Sequence, residues 1–302
     1  MAATMSLALA WPSAAPATFA GRNGDLLFAK QRYAQPTRLN DIYAIRPTGA
    51  AARRLTRSKS DERDPAASPD GRLIAYTGPG SQIWTMRADG SHRHAVARGS
   101  EPAWSPDGKR IVFVGPRRPG VWRPEISIMR ADGTHIRRLT YDRAASDRSP
   151  AFSPDGRRIV FVSDRGRAGP VNVEIWVMDT NGKRVINLTH SPYIDDHPAW
   201  SPDGRWILFE RSGGWVDPAP LFVMNPDGGD QHQVATLAGR MPTWSPDGKR
   251  IAYVRYGSET NPSGDPPEIL RANADGTHVR RVTRLGTGWW VAFHSRIDWR
   301  VR

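Results

Sequence analysis

One tetrapeptide, Ser-Pro-Asp-Gly, recurs five times, beginning at Ser68, Ser105, Ser153, Ser201 and Ser245. The spacings of 37, 48, 48 and 44 residues match the length of one propeller blade. The same grammar surrounds each copy. A short strand precedes it, as in Glu101-Pro-Ala-Trp104, Ser149-Pro-Ala-Phe152, His197-Pro-Ala-Trp200 and Met241-Pro-Thr-Trp244. A basic residue and an apolar strand follow, as in Arg110-Ile-Val-Phe-Val114 and Arg250-Ile-Ala-Tyr-Val254. A variable loop leads to a third strand such as Glu174-Ile-Trp-Val177, and a turn such as Ala131-Asp-Gly133 to a fourth, Ile136-Arg-Arg-Leu-Thr140. In the tetrapeptide, proline presets φ near about −65°, aspartate bonds the local backbone and glycine supplies the positive φ that closes the hairpin. A lone four-stranded sheet of this kind cannot bury both faces, so the blades must stack into a closed ring.

The closure is legible too. The chain enters on a strand of the second type, Gly24-Asp-Leu-Leu-Phe-Ala-Lys30, and continues through Asp41–Ile45 and Arg53–Thr56, so a first strand is missing. Arg296-Ile-Asp-Trp-Arg300 supplies it, with Trp299 matching Trp104, Trp200 and Trp244. The expected architecture is all-β: a six-bladed β-propeller of four-stranded antiparallel blades, closed by the C-terminal strand completing the N-terminal blade. The propeller is expected over 21–302. Residues 1–20, uncharged and rich in Ala, Ser and Pro, read as a signal peptide or a disordered leader.

The motif Pro-Ala-Trp-Ser-Pro-Asp-Gly-Lys/Arg-Arg-Ile, followed by Ile-Trp-Val-Met and Asp-Gly-x-x-x-Arg-Arg-Leu-Thr, resembles the TolB-type propeller repeat, a WD40-like family. The resemblance spans about residues 21–302 and reaches the propeller part of TolB only, since the chain leaves no room for the α/β domain that precedes it there. It implies a protein-docking role, because in the Tol system this propeller docks a peptidoglycan-associated lipoprotein. Residues 1–20, if a signal peptide, imply export to the periplasm or the cell exterior; without a leader the protein would be cytoplasmic.

The chain has 302 residues, a net charge of +13 and no cysteine, which excludes disulfides, thiolate metal sites and thiol nucleophiles. Of its 43 basic residues only five are Lys. The arginines recur at fixed repeat positions, such as Arg137-Arg138 and Arg280-Arg281, which spreads them around a ring and argues against a nucleic-acid partner. Gly-x-Ser-x-Gly, His-Glu-x-x-His and P-loop motifs are all missing, so no catalytic residue is assigned.

Two groups of residues face the same end of such a ring. The loops entering the inner strands carry Asp64, Glu101, Asp147, Asp195, Asp196 and His197, with Arg296 in the split blade. This is an acidic axial mouth in a basic protein. Two carboxylates about 8 Å apart repel by about 2 kcal/mol at an effective dielectric of about 20, and by about 0.5 kcal/mol in water. The mouth therefore suits a basic peptide or a divalent cation, or else is a solvated ring neutralised by Arg63, Arg148, Arg240 and Arg296. No cofactor is otherwise expected. The loops between the second and third strands, at 31–40, 115–124, 164–173, 212–219 and 256–267, carry Tyr33, Trp122, Trp215 and Tyr256. Trp289 and Trp290 lie in the last interblade loop. Aromatics on variable loops suit a peptide, a glycan or a protein edge. The expected function is a monomeric, non-catalytic binding scaffold for a protein or a cell-envelope component. The alternative is a propeller enzyme, a lyase or hydrolase, acting on an anionic polysaccharide or a peptide through a dispersed axial site. Substituting Asp195 and Asp196 by Asn is expected to weaken binding and leave the melting temperature nearly unchanged.

Overall fold

The computed structural model describes residues 22–34, 37–118, 121–142, 145–165, 173–213, 219–255, 267–284, 289–291 and 297–301. It is a six-bladed propeller, with no helix among the described residues. Blade 1 holds β1 (Asn23–Ala34), β2 (Thr37–Ile45) and β3 (Arg53–Arg54). Blade 2 holds β4 (Arg63–Ala67), β5 (Leu73–Gly78), β6 (Gln82–Arg87) and β7 (His94–Arg98). Blade 3 holds β8 (Ser100–Trp104), β9 (Arg110–Arg118), β10 (Val121–Arg130) and β11 (Arg137–Arg138). In blade 4 the strands are β12 (Asp147–Phe152), β13 (Arg158–Ser163), β14 (Glu174–Asp179) and β15 (Ile186–Asn187). Blade 5 contains β16 (Ile194–Trp200), β17 (Ile207–Ser212), β18 (Pro220–Met224) and β19 (His232–Ala238). Blade 6 contains β20 (Arg240–Trp244), β21 (Arg250–Arg255), β22 (Glu268–Asn273) and β23 (Arg280–Arg284). Two further strands, β24 (Trp289–Val291) and β25 (Asp298–Val301), return to pair with β1.

The tetrapeptide turns form as the residue types dictate. Ser68 Oγ donates to Asp70 Oδ1 at 2.6 Å and accepts from Leu73 N at 2.9 Å, while Asp70 Oδ1 also takes Arg72 N at 3.0 Å. The same bonds recur in blades 3, 4, 5 and 6. Gly71 closes its turn at φ +68, and a Cβ there would sit 2.3 Å from Val301 O. Only glycine fits both demands.

Period-two alternation decides which neighbour each blade packs against. Along β1, Leu26 and Phe28 face blade 6, meeting Ala252, Val254 and Ile269. Leu27 and Ala29 face blade 2, meeting Ala67, Ile74 and Tyr76. All four are buried, so both sheet faces contribute to the core, at roughly 1.5–3 kcal/mol for each large apolar side chain.

The ring closes in blade 1. β25 pairs with β1 through Leu26↔Trp299 and Leu27↔Asp298. Trp299 is 1% exposed and its indole N–H donates to Gly24 O at 3.2 Å. Asp298 Oδ2 accepts Ala67 N of blade 2 at 2.7 Å, and Asn23 bonds Asp247 of blade 6 in both directions. The split blade is thereby tied to both neighbours.

Two stretches expected as loops differ. β1 and β2 stay paired as far as Ala34↔Thr37, and β9 and β10 as far as Val121↔Arg118. The Gln, Arg and Pro residues there carry no period-two apolar signal, so strand pairing is invisible in the pattern, yet the ladder continues from the core strands below.

Candidate binding face

The first strand of each blade lines the axial channel, through Ala66, Ala103, Ala151, Ala199, Thr243 and Asp298. The cavity there has a volume of about 100 Å³. Its entrance is built by one repeated distortion. The residue before proline takes a left-handed conformation at Asp64 (φ 53), Glu101 (φ 52), Ser149 (φ 53), His197 (φ 50) and Met241 (φ 54). At each of these residues the ladder to the second strand slips, as between Asp196 and Ala199. A β-bulge of this kind re-aims a side chain and frees a backbone N–H, at a cost of about 1 kcal/mol or more for an L-residue at positive φ.

Four of these N–H groups are captured by side chains. Glu101 N donates to Thr77 Oγ1 of blade 2 at 3.0 Å, and that hydroxyl donates to Asp64 Oδ2 at 2.8 Å. Ser149 N donates to Glu101 Oε2 at 2.7 Å, and Met241 N to Glu210 Oε2 at 2.8 Å. Within blade 5, His197 N donates to Asp196 Oδ1 at 2.8 Å. Arg148 of blade 4 reaches Asp196 Oδ2 at 2.5 Å, and Arg240 of blade 6 reaches Glu210 Oε1 at 3.2 Å. These contacts sew blades 2 to 6 together around the entrance.

The acids expected to ring the mouth are thus placed as follows. Asp64, Asp147, Asp195 and Asp196 are buried, and Glu101 is half-buried. Asp147 is held by Arg165, with both carboxylate oxygens 2.7 Å from Nη2. Asp195 is held by Arg211 at 2.7 and 2.9 Å. Each guanidinium stacks on aromatic rings, Arg165 on Phe161 and Trp176, Arg211 on Phe209 and Phe222. Sequence reasoning missed both arginines and Glu210. A signal for them exists, because all three follow the aromatic residue of the second strand within four positions. Of the arginines named as neutralising the mouth, Arg63, Arg148 and Arg240 do pair with its acids.

His197 stands in a carboxylate clamp, its Nδ1 3.3 Å from Glu210 Oε1 and 3.6 Å from Asp196 Oδ1. Burial alone would lower its pKa, but the two carboxylates outweigh it and raise it to about 9. Burial would raise Asp196, yet Arg148 and His197 hold it well below the ordinary carboxylate range. Asp195 is raised, since burial outweighs Arg211. One ligand atom from each of Asp196, His197 and Glu210 lies within 4.8 Å of the others, a spacing that a cation could bridge. Arg148 and Arg240 already occupy the carboxylates and the imidazole is protonated at neutral pH, so a metal would have to displace a proton to enter.

The loop aromatics divide. The backbone of Tyr33 lies in β1, that of Trp122 in β10 and those of Trp289 and Trp290 in β24. Trp215, Tyr256 and Arg296 lie outside the described residues. Trp104 and Trp299, matched in the repeat, are both buried, and Trp104 donates to Ala66 O at 3.1 Å across the blade boundary.

Comparison with known proteins matches this geometry. The family model described as TolB beta propeller domain matches residues 94–173. No curated protein matches the chain. Among solved structures, TolB from Acinetobacter baumannii is 20% identical with a TM-score of 0.72, over 94% of this chain and 68% of that one. A structure of a nidogen/laminin complex is 14% identical with a TM-score of 0.62, over 91% and 96%. Oligogalacturonate lyase from Vibrio parahaemolyticus is 14% identical with a TM-score of 0.57, over 86% and 80%. At these identities the likenesses show the fold alone. The chain is thus a six-bladed β-propeller that resembles the propeller of solved TolB, with residues 94–173 matching the TolB beta propeller domain model.

Proposed function

We propose that the chain is a non-catalytic binding scaffold, exported and monomeric, that docks a protein or a cell-envelope component on the face where the X-Pro bulges lie. One observation carries this reading: the polar groups of the entrance are engaged with one another, within blades and across four blade boundaries. The imidazole among them, His197, is protonated at neutral pH. A general base must be deprotonated near the working pH and within reach of a proton. A rigid, pre-organised face instead favours recognition, since little ordering entropy is lost on binding. In this reading Asp64, Glu101, Asp147, Asp195, Asp196, His197 and Arg296 frame the entrance. Tyr33, Trp122, Trp215, Tyr256, Trp289 and Trp290 supply apolar contacts. The resemblance to TolB and the nidogen/laminin complex support a protein partner. A divalent cation at Asp196, His197 and Glu210 is an alternative occupant in this proposal, one that would replace the imidazolium proton.

The second reading, an enzyme on an anionic polysaccharide or a peptide, draws on the likeness to oligogalacturonate lyase. Because the chain has no cysteine, one experiment separates the readings. A single Cys is introduced at Arg63→Cys on the X-Pro face or Arg72→Cys on the opposite face, and each is capped with a bulky polyethylene glycol. Capture of a protein from native extract should be lost with the first cap and kept with the second. Equal capture by both, or release of unsaturated sugars from oligogalacturonate by the uncapped chain, would overturn the scaffold reading.

A further inference from the structure

The blades do not rise to one height on the X-Pro face. Above Thr77, blade 2 adds only Gly78 to its ladder before a three-residue turn back to Gln82. Thr77 corresponds to Val114 in blade 3 and Ala29 in blade 1, each two residues beyond the partner of the channel-lining residue (Ala66↔Ala75, Ala103↔Val112, Leu27↔Asp298). β9 continues from Val114 through Arg118, four residues, and β1 from Ala29 through Ala34, five residues. At about 3.3 Å per residue these hairpins stand roughly 13 and 17 Å above the core ladders. β24 buttresses the blade 1 hairpin, pairing Gln31↔Trp290 and Arg32↔Trp289. Blade 2 packs against both of these blades, so two long hairpin arms flank a short one, the saddle.

The arms share a composition. Residues 31–40 hold Arg32, Tyr33 and Arg38, residues 115–124 hold Arg117, Arg118, Trp122 and Arg123, and neither stretch contains an acid. The saddle between them is mixed. Asp61 and Arg63 lie 3.7 Å apart, both 41% exposed.

Resting on the scaffold reading, we propose that the two arms hold an acidic polypeptide segment of the docked protein across blade 2. Five arginines in two stretches that contain no carboxylate attract negative charge, and the same stretches hold Tyr33 and Trp122, residue types that favour contact with polypeptide side chains. A polymer charged on every unit, such as nucleic acid or polygalacturonate, would set a charge over Asp61, whereas a polypeptide can place a neutral or basic residue there. Exposed ion pairs are individually weak, so affinity depends on engaging both arms at once.

The test uses the full chain and fluorescence anisotropy of a labelled peptide, three repeats of Glu-Ala-Tyr-Glu, against its Gln-for-Glu analogue, a single-stranded DNA 12-mer and an oligogalacturonate. The acidic peptide should bind at least tenfold tighter than its Gln analogue and tighter than either polymer. The variants R32S/R38S and R117S/R118S/R123S, and a chain with 115–124 replaced by the blade 2 turn Gly-Pro-Gly-Ser, should each weaken it tenfold or more. R72S/R205S on the opposite face should not. Absence of peptide binding, unchanged affinity in arm variants that melt normally, or tighter binding of DNA or oligogalacturonate would overturn the proposal. If these fail while the Arg63 cap still blocks capture, the arms are wrong and the scaffold reading stands. If the cap makes no difference, the scaffold reading itself fails.

Discussion

His197 shows how position converts an ordinary residue into a structural charge. Its clamp raises the imidazole from 6.5 to about 9, so the stabilisation is fully present below pH 6.5 and is lost as pH rises through about 9. The expected outcome is a melting temperature that falls more steeply between pH 7 and 10 in the wild type than in His197→Asn, whose side chain tolerates the left-handed backbone. Parallel profiles would remove the clamp from the account. The neighbouring aspartates reverse the stability expectation drawn from sequence. Asp195 is fully buried on Arg211, and Asp196 on Arg148, so the double change to Asn should destabilise by roughly 3 kcal/mol or more, as uncompensated buried charges do. Urea titration checks it. The acids of the entrance were readable because the Pro-Ala-Trp repeat fixes their place on the inner strand. Arg63, Arg148 and Arg240 were readable with them, but Arg165, Arg211 and Glu210 lie beyond the repeated motif, where only their distance from the second-strand aromatic marks them.

At the scale of the element, the X-Pro bulge is the recurrent device. Among the described residues it strains the backbone at five inner strands, and at three of them the bulged N–H bonds across a blade boundary. Glu210 gathers three of these contacts, to Met241 N, Arg240 and His197. Glu210→Ala is therefore expected to lower stability by about 3 kcal/mol with an unchanged denaturant slope, since the loss is local to the native state. A neutral result would mean that water replaces the carboxylate. Turn chemistry made the strands legible, and the Ser-Pro-Asp-Gly hairpins form with the bonds those residue types predict. The arms escaped notice because Arg-rich strands that leave the core have no buried face to imprint a pattern.

At the scale of the whole molecule, stability rests on a seam. Trp299 and Asp298 complete blade 1 and bond to Gly24 and Ala67, and this closure was legible from one matched tryptophan. Trp299→Ala should cost about 3–5 kcal/mol, with all blades melting in a single calorimetric transition. A separate early transition confined to one blade would show that the ring does not depend on its seam. The seam also has a kinetic side. Its two strands are separated by nearly the whole chain, Gly24 and Trp299 lying 275 positions apart, and contacts that distant form slowly. Until β25 arrives, β1 presents a bare edge, and the matching strand of a second copy fits that edge equally well. Crowded refolding thus invites exchange of the last strand between molecules, joining two propellers through the same pairing that seals one.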